Sequence, residues 1–156
     1  MSKTTYRTCL WYEKDADKAA ERYVELFEDA EIEHVYPNRG DPAGSAFLVY
    51  WRLGDQHYSG LNGGPHYTLS PAASIEVHLD TQDEIDRLWS GLLDGGGKAL
   101  QCGWLTDPWG VSWQIVPRRL IQLLLTKDDE VAGRVTQAMV KMVKLDIAAL
   151  EAAAKG

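Results

Sequence analysis

The chain's 156 residues suffice for one domain or for two fused small repeats, with a core of useful size. A hydrophobic fraction of 45% is ordinary for a soluble globular protein, and no run of about 18 apolar residues occurs that would span a bilayer. Sixteen Lys and Arg against 23 Asp and Glu leave a formal charge of −7 without a basic cluster, which excludes nucleic acid and membrane as expected partners.

The opening residues, MSKTTYRTCLWYEKD, carry neither the apolar core nor the small-residue cleavage site of a secretory signal, so a cytoplasmic location is expected. Thr4 to Tyr12 is rich in β-branched and aromatic residues and predicts a strand, with Cys9 and Trp11 on one side and Thr8, Leu10 and Tyr12 on the other. Asp15 is a good N-cap, and Ala16, Ala19, Ala20, Tyr23, Val24 and Phe27 then recur at helical spacing. Ile32 to Tyr36 predicts a short strand. After a polar, Gly- and Pro-rich loop, Ser45 to Leu53 and Gln56 to Leu61 predict two more across a Gly54-Asp55 turn. Asn62-Gly63-Gly64-Pro65-His66 ends the fourth strand, because Pro lacks an amide donor and paired glycines are poor strand formers.

The pattern then begins again. Ser74 to Leu79 predicts a strand with Ile75, Val77 and Leu79 on one face and Ser74, Glu76 and His78 on the other. Thr81 and Glu84 form a capping box ahead of the stripe Ile85, Leu88, Trp89, Leu92 and Leu93, which Gly95 to Gly97 close. This strand and helix lie on the first pair at a constant offset of 66 positions, cap on cap and stripe on stripe, with Thr8 falling on Ser74. Asp107-Pro108-Trp109-Gly110 is a type I turn signal that joins two short strands. On the second of these Val111, Trp113 and Ile115 alternate with Ser112, Gln114 and Val116, so Trp113 is expected to face a helix and Gln114 a cleft. Cys9 and Cys102 lack the paired spacing of a zinc or redox motif and read as reduced core thiols, with a reactive Cys102 as the alternative.

After Pro117 the pattern is helical. It comprises a segment at Arg118 to Leu125, a stripe of Val131, Val135, Ala138, Met139 and Met142, and a third helix capped by Asp146. The expected architecture is therefore α+β, with two βαβββ modules forming a curved mixed sheet around a cleft and a C-terminal helical extension. The modules would span residues 1–66 and 67–117, and the extension residues 118–156. The extension needs a surface to cover its stripes, within the chain or on a second subunit.

CLWY before the first helix, LNGGPH after the fourth strand and QCGWLTDPWGVSWQIVPRRL near the end together resemble the vicinal oxygen chelate superfamily. This superfamily includes glyoxalase I, extradiol dioxygenases, fosfomycin-modifying enzymes and bleomycin-binding proteins, and the likeness is strongest to its PhnB-like group. In metal-dependent members, cavity-facing residues of the outer strands of both modules supply His and carboxylate ligands to one divalent ion. Carried over, those positions fall on Thr8, Asn62, Ser74 and Gln114, which include neither imidazole nor carboxylate, so no metal ligand is expected. The PhnB-like group is often labelled as methyltransferase. This chain lacks the Gly-rich loop after a first strand of a doubly wound sheet that would hold a methyl donor, and no cofactor is expected.

The leading expectation is a small-molecule-binding protein with Thr8, Tyr58, Asn62, Ser74, Ser112 and Gln114 as cavity residues and Trp104 as an aromatic wall. The alternative is a metal-independent isomerase, lyase or transferase on a small polar metabolite, with Glu76 as the acid/base residue. A third reading is a dimerising structural module whose cleft is vestigial. A homodimer is expected in each case, with or without exchange of modules between chains.

Overall fold

The computed structural model describes residues 4–156. They fall into two compact units, one running to Leu69 and the other from Ser70 to Gly156. The first contains β1 (Thr8–Tyr12), α1 (Ala16–Leu26), β2 (Ala30–Pro37), β3 (Ala46–Leu53) and β4 (Gln56–Asn62). Its four-stranded sheet has the order β1-β4-β3-β2, with β1 parallel to β4 and the other pairs antiparallel. Joining β1 in parallel to the last strand of the unit requires a crossover, and α1 supplies it on one face of the sheet.

Small residues bring α1 close to that face. Ala16, Ala19 and Ala20 are fully buried. A Cβ on Gly60 would stand 2.9 Å from both the Ala16 Cβ and the Trp51 ring, so this β4 position holds no side chain. Tyr23 of α1 lies 5.9 Å from the Trp51 ring, and Trp51 stacks on Tyr58 at 5.5 Å, which fills the space between helix and sheet with aromatic surface.

The second unit repeats the plan with β5 (Ile75–Leu79), α2 (Gln82–Leu93), β6 (Lys98–Ala99), β7 (Trp104–Thr106) and β8 (Ser112–Pro117), in the order β5-β8-β7-β6. The mixed sheet of the fold is thus two four-stranded sheets of identical topology. The capping box is complete. The Thr81 hydroxyl accepts from the Glu84 amide, and the Glu84 carboxylate accepts from the Thr81 amide. Ile85, Leu88, Trp89 and Leu92 are buried as their spacing requires, along with Leu105, Trp113 and Ile115 of the sheet. At the hairpin, Asp107 Oδ1 accepts from the amides of Trp109 and Val111 at 3.0 Å, and Oδ2 accepts from the Trp113 indole at 2.9 Å. One carboxylate therefore fixes both the turn and the inward tryptophan.

The tail forms α3 (Arg118–Leu124), α4 (Asp129–Met139) and α5 (Ile147–Lys155), and the Asp128 and Asp146 side chains cap the last two. Its stripes find their cover within the second unit, where Leu120, Leu123, Val135, Leu145 and Leu150 are buried with Val116 of β8. The amides of Cys102 and Gly103 donate to the carbonyls of Met142 and Val143 at 2.8 Å, tying the loop before β7 to the tail.

Three local expectations are corrected. Asp15 does not cap α1 through its side chain. It sits at φ 64°, in the left-handed region, and the Ala16 amide donates instead to Asn62 Oδ1 at 2.8 Å. Three residues separate β1 from α1, whereas only Asp80 and Thr81 separate β5 from α2. The 66-residue offset therefore holds for the helices and becomes 67 between β1 and β5, which turns β1 over relative to the expectation. Finally, Cys9 is not a core thiol. It is free and exposed, on the side of β1 opposite to Tyr12, whose ring is buried beside Tyr23 of α1; Cys102 is free and half-buried.

Candidate functional site

Each sheet has one face covered by its helix and one that the helix leaves free, and polar side chains collect on the free faces. In the second unit the register places Glu76, Gln114 and Trp104 side by side on β5, β8 and β7. Alternation along β8 turns them away from Trp113 and Ile115, which are buried on the α2 side. Gln114 Nε2 donates to Ser74 Oγ at 2.8 Å. Glu76 Oε1 lies 2.5 Å from His78 Nε2, and both side chains are substantially exposed. Ser112, two residues before Gln114 and on its side of β8, is buried, and its hydroxyl has no hydrogen-bond partner among the described residues. Ser74, Glu76, Ser112 and Gln114 thus lie on the face where the alternation pattern puts them, and the register sets Trp104 beside Gln114.

The first unit departs from the expectation. Thr8 and Tyr58 are register partners, as are Leu10 with Gly60 and Tyr12 with Asn62. Gly60 meets Ala16, and the Tyr12 hydroxyl lies 3.3 Å from that of Tyr23, so this row faces α1. Tyr58 is consequently buried against Trp51, and desolvation pushes its phenol pKa upward. Asn62 caps α1 and donates through Nδ2 to the Ala46 carbonyl at 2.9 Å. Tyr58 and Asn62 are therefore placed on the covered side of the sheet and not with the polar residues of the free face, and Thr8, in their row, is exposed at the start of β1.

The free face of this sheet carries a cluster that sequence reasoning missed. The register of β2 on β3 shifts between Ile32 and His34, and Glu33 at this bulge accepts a hydrogen bond from the Arg7 guanidinium. The other Glu33 oxygen lies 3.0 Å from His57 Nδ1. The Arg7 bond first, with His57 behind it, holds the Glu33 carboxyl below the usual carboxylate range. Arg7 also donates to the Tyr58 carbonyl and lies over the Tyr50 ring at 4.3 Å, and Tyr36 meets Tyr50 edge-on at 5.2 Å. The signal available in the sequence was the alternation Arg7, Cys9, Trp11. It identifies the free face once Tyr12 is known to point at the helix.

A separate cavity of about 460 Å³ lies at the start of α1, lined by Lys14, Asp17, Lys18, Asn38, Ser45 and Asn62 among others. Among the described residues, no group of three His, Cys, Asp or Glu is arranged to hold a metal ion, and no helix is long and apolar enough to cross a membrane.

Comparison with known proteins places this geometry in a family. The model of the family described as 3-demethylubiquinone-9 3-methyltransferase matches residues 4–116. The chain belongs to that family. The 3-demethylubiquinone-9 3-methyltransferase match takes in both βαβββ modules and stops before α3, and the fold is that of the vicinal oxygen chelate superfamily. Among solved structures the chain is similar to a PhnB protein from Bacillus cereus, at 26% identity and a TM-score of 0.66, over 73% of this chain and 99% of that one. It is also similar in fold to protein PA1353 from Pseudomonas aeruginosa, at 17% identity and a TM-score of 0.60, over 74% and 98% of the two chains. No curated protein sequence matches.

Proposed function

We propose that this chain is a small-molecule-binding protein of the vicinal oxygen chelate type that takes its ligand without the divalent metal used by many members. The observation that carries the reading is the row of Glu76, Gln114 and Trp104 across three neighbouring strands, on the face of the second sheet that α2 leaves free. A carboxylate, an amide and an indole in one row offer an acceptor, a donor and a flat apolar wall, which is the mixture a small polar ligand needs. Ser74 orients the Gln114 amide through their hydrogen bond. Native mass spectrometry of the protein exposed to a mixture of small metabolites tests this. A discrete adduct that is lost in Gln114→Ala supports the reading, and an adduct untouched by Gln114→Ala, Glu76→Gln and Trp104→Ala overturns it.

The donor set speaks against a metal of the usual kind. With the strand offset of 67, the position equivalent to Ser74 is Arg7. The position equivalent to Gln114, the register neighbour of Glu76, is Ser59, the register neighbour of Cys9. A guanidinium, two hydroxyls and an amide contain no anionic or imidazole ligand, and the guanidinium repels a cation. The residues at these positions do not fit the metal. The mixed 1-4-3-2 strand order of each sheet likewise differs from the doubly wound parallel sheet in which a Gly-rich loop holds a methyl donor.

A second reading is favoured by one contact. The Glu76 carboxylate and the His78 imidazole, hydrogen-bonded at 2.5 Å, form a pair able to shuttle a proton, so an acid/base enzyme would use Glu76 as its base. Glu76→Gln would then keep ligand binding and abolish turnover, whereas a pure binder loses affinity and has no turnover to lose. For the assembly we propose a homodimer, supported by the exposed apolar residues Leu125, Val140 and Val143 on the tail. Light scattering that finds a monomer at low micromolar concentration refutes it.

A further inference from the structure

We propose that the first unit carries a binding site of its own for a small planar carboxylate, with Arg7 as the receptor of the carboxylate. It stands on the first unit alone and does not require the second-unit row to bind anything. Three observations lead to it.

The first is the state of the guanidinium. Nη1 of Arg7 is committed to Glu33 and to the Tyr58 carbonyl, while Nε and Nη2 have no partner among the described residues. Those two nitrogens are the side of the guanidinium that takes a carboxylate through two parallel N–H···O bonds. The second is that the guanidinium is held in place. Glu33 anchors one end from a β-bulge, and the Tyr50 ring lies against its plane at 4.3 Å, so little of the ordering cost falls on ligand binding. Glu33 and Tyr50 are thus positioning residues for Arg7.

The third is the space beside it. A cavity of about 320 Å³ is lined by Tyr6, Arg7, Thr8, Asp55, Gln56 and His57. A smaller one of about 220 Å³ is bounded by Thr4, Thr5, Tyr6, Arg7 and His57, so Arg7, Tyr6 and His57 border both. These volumes suit a ligand of metabolite size rather than a macromolecule. Tyr6 is 83% exposed and makes no ring contact with another aromatic side chain among the described residues, although an exposed aromatic contributes nothing to the core. With the His57 ring it offers flat surface to the body of a ligand whose carboxylate sits on Arg7. In a chain of net charge −7, a local cation with a free donor pair is the feature that would draw an anion to this spot.

The test is a titration of the isotopically labelled intact chain with benzoate, followed by NMR at the backbone amides and at the Arg7 Nε–H, with inorganic phosphate as the second arm. The expected result is saturable benzoate binding that shifts Arg7 Nε–H and the amides of residues 6–8 and 55–58. Arg7→Gln should weaken it by at least about tenfold and Arg7→Lys by less, since lysine keeps the charge and loses the fork. Arg7 also supports the Tyr58 carbonyl, so Tyr6→Ser serves as a variant that leaves the fold alone. It should weaken benzoate about threefold through lost ring contact and leave phosphate unchanged. No saturable shift, or equal benzoate affinity in Arg7→Gln, overturns the proposal. Phosphate binding as tight as benzoate and indifferent to Tyr6→Ser overturns the planar carboxylate as the ligand class. Shifts confined to Glu76, Trp104 and Gln114 overturn this site while leaving the second-unit reading intact.

Discussion

Replacing Trp113 and Gln114 one at a time tests the orientation of β8 and, with it, which face is available to a ligand. Trp113 is fully buried, and its indole donates to Asp107 Oδ2 inside the hairpin. Trp113→Ala removes the largest side chain on the α2 side of the sheet and one bond to a buried carboxylate. The cavity and transfer terms alone come to about 3 to 5 kcal/mol. Gln114 is half-buried and gives up a single neutral hydrogen bond, to Ser74, so Gln114→Ala should cost about 0.5 to 1.5 kcal/mol. With a urea dependence of about 2 kcal/mol per molar for a protein of this size, the two midpoints should differ by roughly 1 to 2 M. Urea denaturation followed by far-ultraviolet circular dichroism reads the difference without relying on tryptophan fluorescence. Coincident midpoints, or a lower midpoint for Gln114→Ala, would mean that β8 is inverted and that the free face is not where the ligand is proposed to sit.

Asn62→Ala should destabilise the first unit by about 1 kcal/mol, because the Ala16 amide loses its cap, and should leave ligand affinity unchanged; thermal denaturation and the adduct assay read the two effects. Glu33, held below the usual carboxylate range by Arg7, stabilises the fold above its unfolded pKa of about 4.3, and this contribution is lost as pH falls through the lower folded value. The stability gap between the native chain and Glu33→Gln, measured by denaturation across pH, should therefore be full above about pH 5 and close at lower pH. A gap that widens on acidification would contradict the pairing. Truncation after Pro117 exposes Val116 and removes the carbonyls that hold Cys102 and Gly103, so the shortened chain should aggregate in size-exclusion chromatography, where the intact protein does not.

Much of the fold was legible because its determinants are local. The Thr81–Glu84 box, the Ile85 to Leu92 stripe and the Asp107-Pro108 turn each act within a few residues, and each forms as the sequence dictates. The second-unit face was legible for the same reason, since Trp113 and Ile115 are unambiguous core residues that fix the sense of Gln114. The first-unit face was not. Both sides of β1 carry apolar residues, Leu10 and Tyr12 on one and Cys9 and Trp11 on the other, so periodicity does not choose between them. The choice is made by Asp15. Its left-handed backbone adds a residue between strand and helix, and a polar residue ahead of an amphipathic stripe reads in sequence as a cap. Glu33 was hidden by a different cause. A bulge is defined by the partner strand's register, and nothing in AEIEHVYP marks which residue is the extra one.

The most direct test of the account is native mass spectrometry with elemental analysis on freshly purified protein, before and after incubation with small metabolites. The account predicts a small-molecule adduct that forms without stoichiometric metal, survives a chelator and is lost in Gln114→Ala. Full occupancy by zinc, nickel, iron or manganese, with the adduct and the thermal stability both lost on chelation, would contradict it.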